Sequence, residues 1–225
     1  MISVSDLSYL GLCQIAFLFN KKAKIVTKAM MQGAKRHNEL QKQAEVFTDD
    51  EIITKIIKGE KFVAREIRVA DYENGLRGRI DELQFLGHNQ GMKNEVLIKD
   101  DKFSYSNFLG MNDTHRIQLS SYAFMMPKDA KFKNLVDVIG ASINFRRFNT
   151  PDSLEFKVSG AQLSSWVTQV PELTQLAENI LSNEIIPKPQ GFALIDSEWL
   201  PVSKRTCISC KYNKVCKVGR KILSE

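Results

Sequence analysis

Asp81, Asp100 and Lys102 are the residues whose types and spacing best suit chemistry. Asp81 closes the run Gly78-Arg79-Ile80-Asp81. The run Ile98-Lys99-Asp100-Asp101-Lys102 follows, and both lie in stretches whose Val, Ile, Leu and Phe content favours extended backbone. Side chains alternate along a strand, so Asp100 and Lys102 share a face while Asp101 points away. Two carboxylates on neighbouring strands beside an ammonium suit hydrolysis of a phosphodiester. The carboxylates hold Mg2+ or Mn2+ through oxygen, the cation activates water and neutralises developing charge, and the lysine orients that water or steadies the transition state. Asp-x-Lys by itself also occurs wherever solvated charges end a strand, and that plainer reading stands beside the chemical one.

Other residues have the spacing to join such a site. Gln118 and Tyr122 lie four apart on an expected helix and so share a face, with His115 one turn earlier. The pair suits contact with a phosphate or positioning of the lysine, or else an amphipathic helix with its tyrosine in the core. His37 sits mid-helix among polar neighbours, where histidine is commonly a surface residue.

The four cysteines occupy the two ends of the chain: Cys13 alone, then Cys207, Cys210 and Cys216 as C-x2-C-x5-C. Four thiolates close a tetrahedral metal or an iron–sulphur site. Here such a site would close a loop of nearly two hundred residues, an entropic term of roughly 5 kcal/mol. Buried apolar fillers and disulfides are the competing readings. The opening MISVSDLSYLGLC lacks the basic start, long apolar run and cleavage site of a secretory signal, so an oxidising compartment is not expected. Lys204, Arg205, Lys211, Lys214 and Lys217 leave little apolar surface to bury bare thiols, and their charge favours thiolates. Leu7, Leu10, Leu12, Ile15 and Phe17 around Cys13 fit core packing equally well.

The positioning elements follow from periodicity. Ser3 and Asp6 start a first helix reaching Phe19; a second spans Lys24 to Val46, with a weaker turn at Asp50 to Ile57. Lys61 to Phe85 reads as two antiparallel strands about an Asn74-Gly75 turn, and Val96 to Ile98 as a buried third strand after the loop Gly87 to Asn94. Asn112, Asp113 and Thr114 cap a helix reaching Met125 or Met126. Val136 to Phe148 pairs with Leu154 to Val158 across Thr150-Pro151-Asp152, and a last helix spans Ala161 to Leu181. A Pro-containing loop then leads into the cysteines.

With 225 residues, 43% of them hydrophobic, the chain is long enough for a real core, and no apolar run approaches a membrane span. Its 32 basic and 26 acidic side chains give a net charge of +6, which permits a polyanionic partner without demanding one.

In order, one N-terminal Cys, a helical His, Gly-x-x-Asp, Asp-x-Lys, Gln-x3-Tyr and three C-terminal Cys resemble the RecB-like nucleases of the PD-(D/E)XK superfamily. The cysteine frame and size resemble more narrowly the CRISPR-associated iron–sulphur exonuclease family. The likeness runs from Cys13 to Cys216, and its specificity lies in combination and order. It implies an α/β (α+β) fold with a RecB-like nuclease core, a central mixed β-sheet flanked by helices. One domain over 1–225 would carry a cluster lobe formed by 1–20 and 200–225.

The resemblance further implies Cys13, Cys207, Cys210 and Cys216 as ligands of a 4Fe–4S cluster. His37, Asp81 and Asp100 would hold the catalytic Mg2+ or Mn2+, with the peptide carbonyl of Asp101 completing the shell. Lys102 becomes the catalytic lysine, Gln118 and Tyr122 the helical motif beside it, and Glu66 a neighbour one strand earlier. The implied activity is metal-dependent DNA exonuclease action on single-stranded ends, trimming spacer precursors for CRISPR adaptation beside the integrase. The protein would work in the cytoplasm, away from membranes, with a homo-oligomer left open. Arg146 and Arg147, with Phe145, Phe148 and Tyr212 as interleaved aromatics, suit tracking and stacking on the strand. Lys211, Lys214, Lys217, Arg220 and Lys221 surround the cluster segment.

The chain departs from the family pattern at Asp100, often Glu, at Gln14, often Pro, and at Phe103-Ser104, usually a small pair. Moving the register to Lys99 would leave Leu97 where a carboxylate must be. A repair-type or virus-encoded RecB-like exonuclease shares every motif named. A binding or assembly module that keeps the nuclease fold without turnover fits the same motifs, and zinc fits the same four thiolates.

Overall fold

The computed structural model describes residues 1–23, 25–42, 45–88, 92–105, 110–150 and 152–224. The expected strand pair is present as β2 (Lys61–Asp71) and β3 (Leu76–Leu86), antiparallel throughout. Asp71 sets the turn between them: its carboxylate accepts from the Asn74 amide at 3.1 Å and from Asn74 Nδ2 at 2.6 Å, and Gly75 takes φ +61°. Phe62 and Phe85, directly opposed, stack at 4.3 Å and pin the register.

β4 (Asn94–Ser104) is much longer than the apolar run Val96 to Ile98 predicts, and it carries Asp100, Asp101 and Lys102 within one strand. It runs antiparallel to β3 and parallel to β5 (Val136–Arg147). A parallel neighbour requires a crossover, which α5 (Asp113–Met125) supplies. α5 starts at the predicted cap, with Asn112 and His115 closing a reciprocal capping box. β6 (Ser153–Ser159) returns antiparallel to β5, as expected. Pro151 of the predicted turn, Lys24 at the predicted start of the second helix and loop residues 89–91 lie outside the described residues.

The N-terminal strand β1 (Ile2–Ser3) pairs parallel with Leu76 and Arg77 of β3. β4 pairs with the same edge of β3 only from Glu82 to Phe85. Among the described residues, Gly78 to Asp81 therefore face a gap between two partners. The central sheet is mixed, ordered β2-β3-β4-β5-β6 with β1 beside β3, and helices flank it.

The predicted first helix is broken into α1 (Val4–Leu7), a tight 3-10 turn at Ser8–Gly11, and α2 (Gln14–Lys22). At Gly11 a Cβ would come within 2.7 Å of the Asp113 backbone, so the turn packs on the start of α5 only because no side chain intervenes. The break leaves Cys13 extended, at φ −175°, before α2. α3 (Lys28–Lys42) is the second predicted helix, and the weak turn after it is a full helix α4 (Asp49–Ile57) with a Thr48–Glu51 capping box. The last predicted helix divides into α6 (Gly160–Val167) and α7 (Val170–Leu181). Pro171 in the first turn of α7 has no amide hydrogen with which to continue the ladder from α6. A hairpin of β7 (Gln190–Ala193) and β8 (Glu198–Pro201), then α8 (Lys204–Ser209) and α9 (Lys217–Ser224), fill what sequence reads as a loop.

The core lies between the sheet and α5, with Ile80, Leu83, Ile98, Ile143, Ile117 and Leu119 buried. Ile2, Val4, Leu7, Leu10 and Phe17 from the N-terminal segment belong to the same core. Among the described residues, no helix is long and apolar enough to cross a membrane.

Candidate active site

The gap in the edge of β3 is where the predicted residues gather. Asp81 reaches across it, and its Oδ2 accepts the amide hydrogen of Asp101 at 2.9 Å. Asp100 and Lys102 project together from β4, as strand alternation predicts, with Lys102 Nζ 2.6 Å from Asp100 Oδ2. α5 supplies the next layer. Lys102 Nζ donates to Gln118 Oε1 at 2.9 Å, and Gln118 Nε2 donates to Asp100 Oδ1 at 2.8 Å and to Tyr122 Oη at 3.3 Å.

Tyr122 in turn donates to the Arg79 carbonyl at 2.8 Å, satisfying a strand carbonyl that faces the gap. Gly78 makes this contact possible, because a Cβ there would lie 2.6 Å from the Tyr122 ring. The glycine of the Gly-x-x-Asp run thus has a packing reason.

His37, from α3, brings Nδ1 to 3.7 Å from Asp81 Oδ2. Glu66, in mid-β2 opposite Asp81, adopts φ +57°, a left-handed conformation costly for a residue with a side chain. Donor atoms of His37, Glu66 and Asp81 all lie within 4.8 Å of one another. Sequence reading gives Glu66 only as a neighbour, and nothing in its surroundings signals the backbone twist that brings it in. Asp100 stands beside this trio, its oxygens engaged by Gln118 and Lys102.

The Asp101 side chain points to the opposite face of the sheet. Its Oδ1 accepts from Asn144 at 3.1 Å and Arg146 Nε at 2.9 Å, and its Oδ2 lies 3.8 Å from Arg65.

Three carboxylates stand against two cations here: Lys102 pairs with Asp100 at 2.6 Å, and Arg79 Nε lies 2.7 Å from Glu66 Oε2. Burial first, and the neighbouring Asp100 charge second, push Asp81 up to about 8, against the pull of Lys102 and the Asp101 amide. Burial works against the Lys102 ammonium, but Asp100 and Asp81 outweigh it and hold the amine above its ordinary range. Burial, then Lys102, lowers the His37 imidazole. Converging oxygen and imidazole donors with a carboxyl driven to hold a proton fit a hard divalent cation such as Mg2+ or Mn2+. The same cleft, of about 800 Å³, is lined further out by Arg68, Arg77 and Lys131, cations that sequence reading does not single out.

The four cysteines line one cavity together with Leu12, Ile15, Phe19, Pro189, Val202 and Ile222. Burial raises the Cys13, Cys207 and Cys210 thiols, and the Lys211 charge pulls Cys210 the other way. The Gly219 amide donates to Cys216 Sγ at 3.3 Å, a hydrogen bond of the kind that tunes thiolate-held clusters. A thiol-lined apolar cavity with an amide aimed at sulphur fits a cluster. Among the described residues, no three thiols approach within 4.8 Å of one another as the His37 group does.

Two aromatic expectations are overturned. Tyr212 is 1% exposed, stacked on Phe19 at 5.6 Å with its hydroxyl bonded to Asn20, so no base can reach it. Phe145 is buried against His115 and Phe156. Arg146 is anchored by Asp101, and Arg147 lies 3.6 Å from Asp152.

No family model matches the chain, and no curated protein matches it. Among solved structures it is similar to SSO0001, at 12% identity and TM-score 0.50, over 96% of this chain and 85% of that one. It is also similar to a candidate exonuclease from Eubacterium rectale, at 13% identity and TM-score 0.46 over 83% of each chain. A third likeness is to an alkaline exonuclease from Laribacter hongkongensis, at 8% identity and TM-score 0.34, over 82% of this chain and 94% of that one. The likeness to SSO0001 establishes a shared fold.

Proposed function

We propose that this chain is a divalent-metal-dependent deoxyribonuclease of the RecB-like kind that carries a 4Fe–4S cluster on Cys13, Cys207, Cys210 and Cys216. The observation that carries the reading is the convergence of His37, Glu66 and Asp81 beside the Asp100–Lys102 pair, in a cleft walled by arginines. A bound Mg2+ or Mn2+ would supply Lewis-acid charge at a scissile phosphate. His37, Glu66, Asp81 and Asp100 would hold it, with the Asp101 carbonyl next to them. Lys102 stays protonated and presents N–H donors to the phosphate oxygens. Gln118 fixes the lysine and Asp100 relative to each other, and Tyr122 fixes Gln118 to β3. Arg68 and Arg77 of the cleft, with Arg146 and Arg147 of the neighbouring groove, would receive the phosphate backbone.

By its resemblance the enzyme trims single-stranded ends of spacer precursors beside the CRISPR integrase, in the cytoplasm. A repair or viral exonuclease would use the same chemistry.

End-labelled single-stranded DNA incubated with the protein and Mn2+ or Mg2+ tests the chemistry. Wild type should degrade it, and Asp81→Ala, Asp100→Ala and Lys102→Ala should each lose at least a hundredfold in rate while unfolding at the wild-type temperature. Undiminished cleavage by Asp100→Ala rejects the assignment; no cleavage by wild type favours the binding module. Anaerobically purified protein should be brown with broad visible absorption, and colourless protein with stoichiometric zinc rejects the cluster.

A further inference from the structure

Beyond His37, where β4 and β5 end near α3, a second groove of about 440 Å³ is lined by Phe103, Phe148, Arg36, Arg146 and Arg147. A run of rings leads into it from the candidate metal site. Phe103 meets His37 edge-on at 5.2 Å, Phe148 lies 5.8 Å from Phe103, and Tyr105 lies 4.5 Å from Phe148. Tyr105 is 47% exposed, and the Phe148 amide is held by the Ser104 carbonyl at 3.2 Å, so the rings are anchored yet open.

Core packing does not account for rings at this place, since they stand at a sheet margin among three arginines. Arg36 is paired with Glu39, with both side chains largely exposed. Such a pair contributes little and can exchange its partner for a phosphate at small cost. A groove with three arginines against Glu39 and Asp152, walled by Phe103 and Phe148 with Tyr105 beside Phe148, suits single strands, because each unpaired base offers a face to stack while the backbone follows the cations. A duplex keeps its bases in their own stack and would leave the rings unused.

We propose that this groove is a base-stacking subsite for single-stranded DNA, with Phe148 and Tyr105 as its rings and Arg36 and Arg147 as its phosphate contacts. It holds the nucleotides next to the scissile bond. Its placement rests on the nuclease reading above.

The test measures binding in chelator, without turnover. The probes are an oligothymidylate strand, the same strand with abasic residues, and a 2-aminopurine-labelled strand. Wild type should bind the abasic strand about tenfold more weakly than the intact one and should quench 2-aminopurine. Phe148→Ala and Tyr105→Ala should each weaken binding of the intact strand by about tenfold, lose the quenching, and leave little preference for intact over abasic DNA. Tyr105→Phe should restore binding. Equal affinity of wild type for intact and abasic strands overturns the proposal, and that arm needs no variant to fold. Quenching retained in both alanine variants overturns it too. Because these measurements need no metal, loss of the subsite and loss of the nuclease reading give separate results.

Discussion

His115 shows how one side chain can set the acid limit of this protein. Its Nδ1 accepts the Asn112 amide in the capping box, and its ring meets Phe145 at 5.2 Å. Burial, then the charges of Lys102 and Arg116, lower its imidazole to about 3. In the unfolded chain it titrates near 6.5. Between those values the unfolded state binds the proton and the folded state does not, so stability is lost as pH falls from 6.5 toward 3. His115→Gln keeps a side chain able to close the capping box and should remove up to about 2 kcal/mol of the loss between pH 6.5 and 5. Urea unfolding of both proteins across that range measures it, and parallel stability curves would contradict the account. His115 is visible in the sequence as a helix-start residue. Its neutrality is not, because that depends on a ring from β5 and an ammonium from β4.

Among the elements, β4 couples the two faces of the sheet. Asp100 and Lys102 face the cleft while Asp101 ties Arg65, Asn144 and Arg146 on the other side. The Asp101 amide also anchors Asp81. Asp101→Ala leaves the Arg146 guanidinium without its carboxylate, while Arg65 keeps Glu82, and should cost about 2 kcal/mol. It should also slow any metal-dependent cleavage by loosening β4, although the side chain never enters the cleft. Denaturant midpoints and single-turnover rates report both effects, and unchanged values for both would remove the coupling. The alternation of Asp100, Asp101 and Lys102 was legible because it follows from strand geometry alone. The length of β4 was not, because Lys99 to Lys102 stay in a sheet only where cross-strand partners such as Glu82 and Arg146 answer each charge. The left-handed Glu66, the divided helices and the β7–β8 hairpin likewise depend on packing that no local pattern announces.

At the scale of the whole molecule, hydrogen bonds clasp the two ends beside the cysteine-lined cavity. Buried Asn20 accepts from Lys211 Nζ at 2.9 Å and Tyr212 Oη at 2.8 Å and donates to Asp6 at 2.7 Å, while Gln14 accepts the Lys188 amide at 2.9 Å. Asn20→Ala should loosen the segment after Ser203, so that trypsin cuts near Lys204 to Lys211 several-fold faster in chelator-treated protein. An unchanged digestion rate would mean that apolar contacts alone hold the tail. The residues of the clasp are scattered from Asp6 to Tyr212, and only the cysteines beside them carried a pattern that sequence could reveal. The clasp also fixes an order of events during synthesis. Translation delivers Cys13 first, then every strand of the main sheet, and Cys207, Cys210 and Cys216 only afterwards, so domains of this kind can begin folding before the tail emerges. For the cluster proposed above, loading with iron and sulphide would be the final step of maturation, and starvation for either should yield a folded polypeptide with a loose tail in place of an unfolded one.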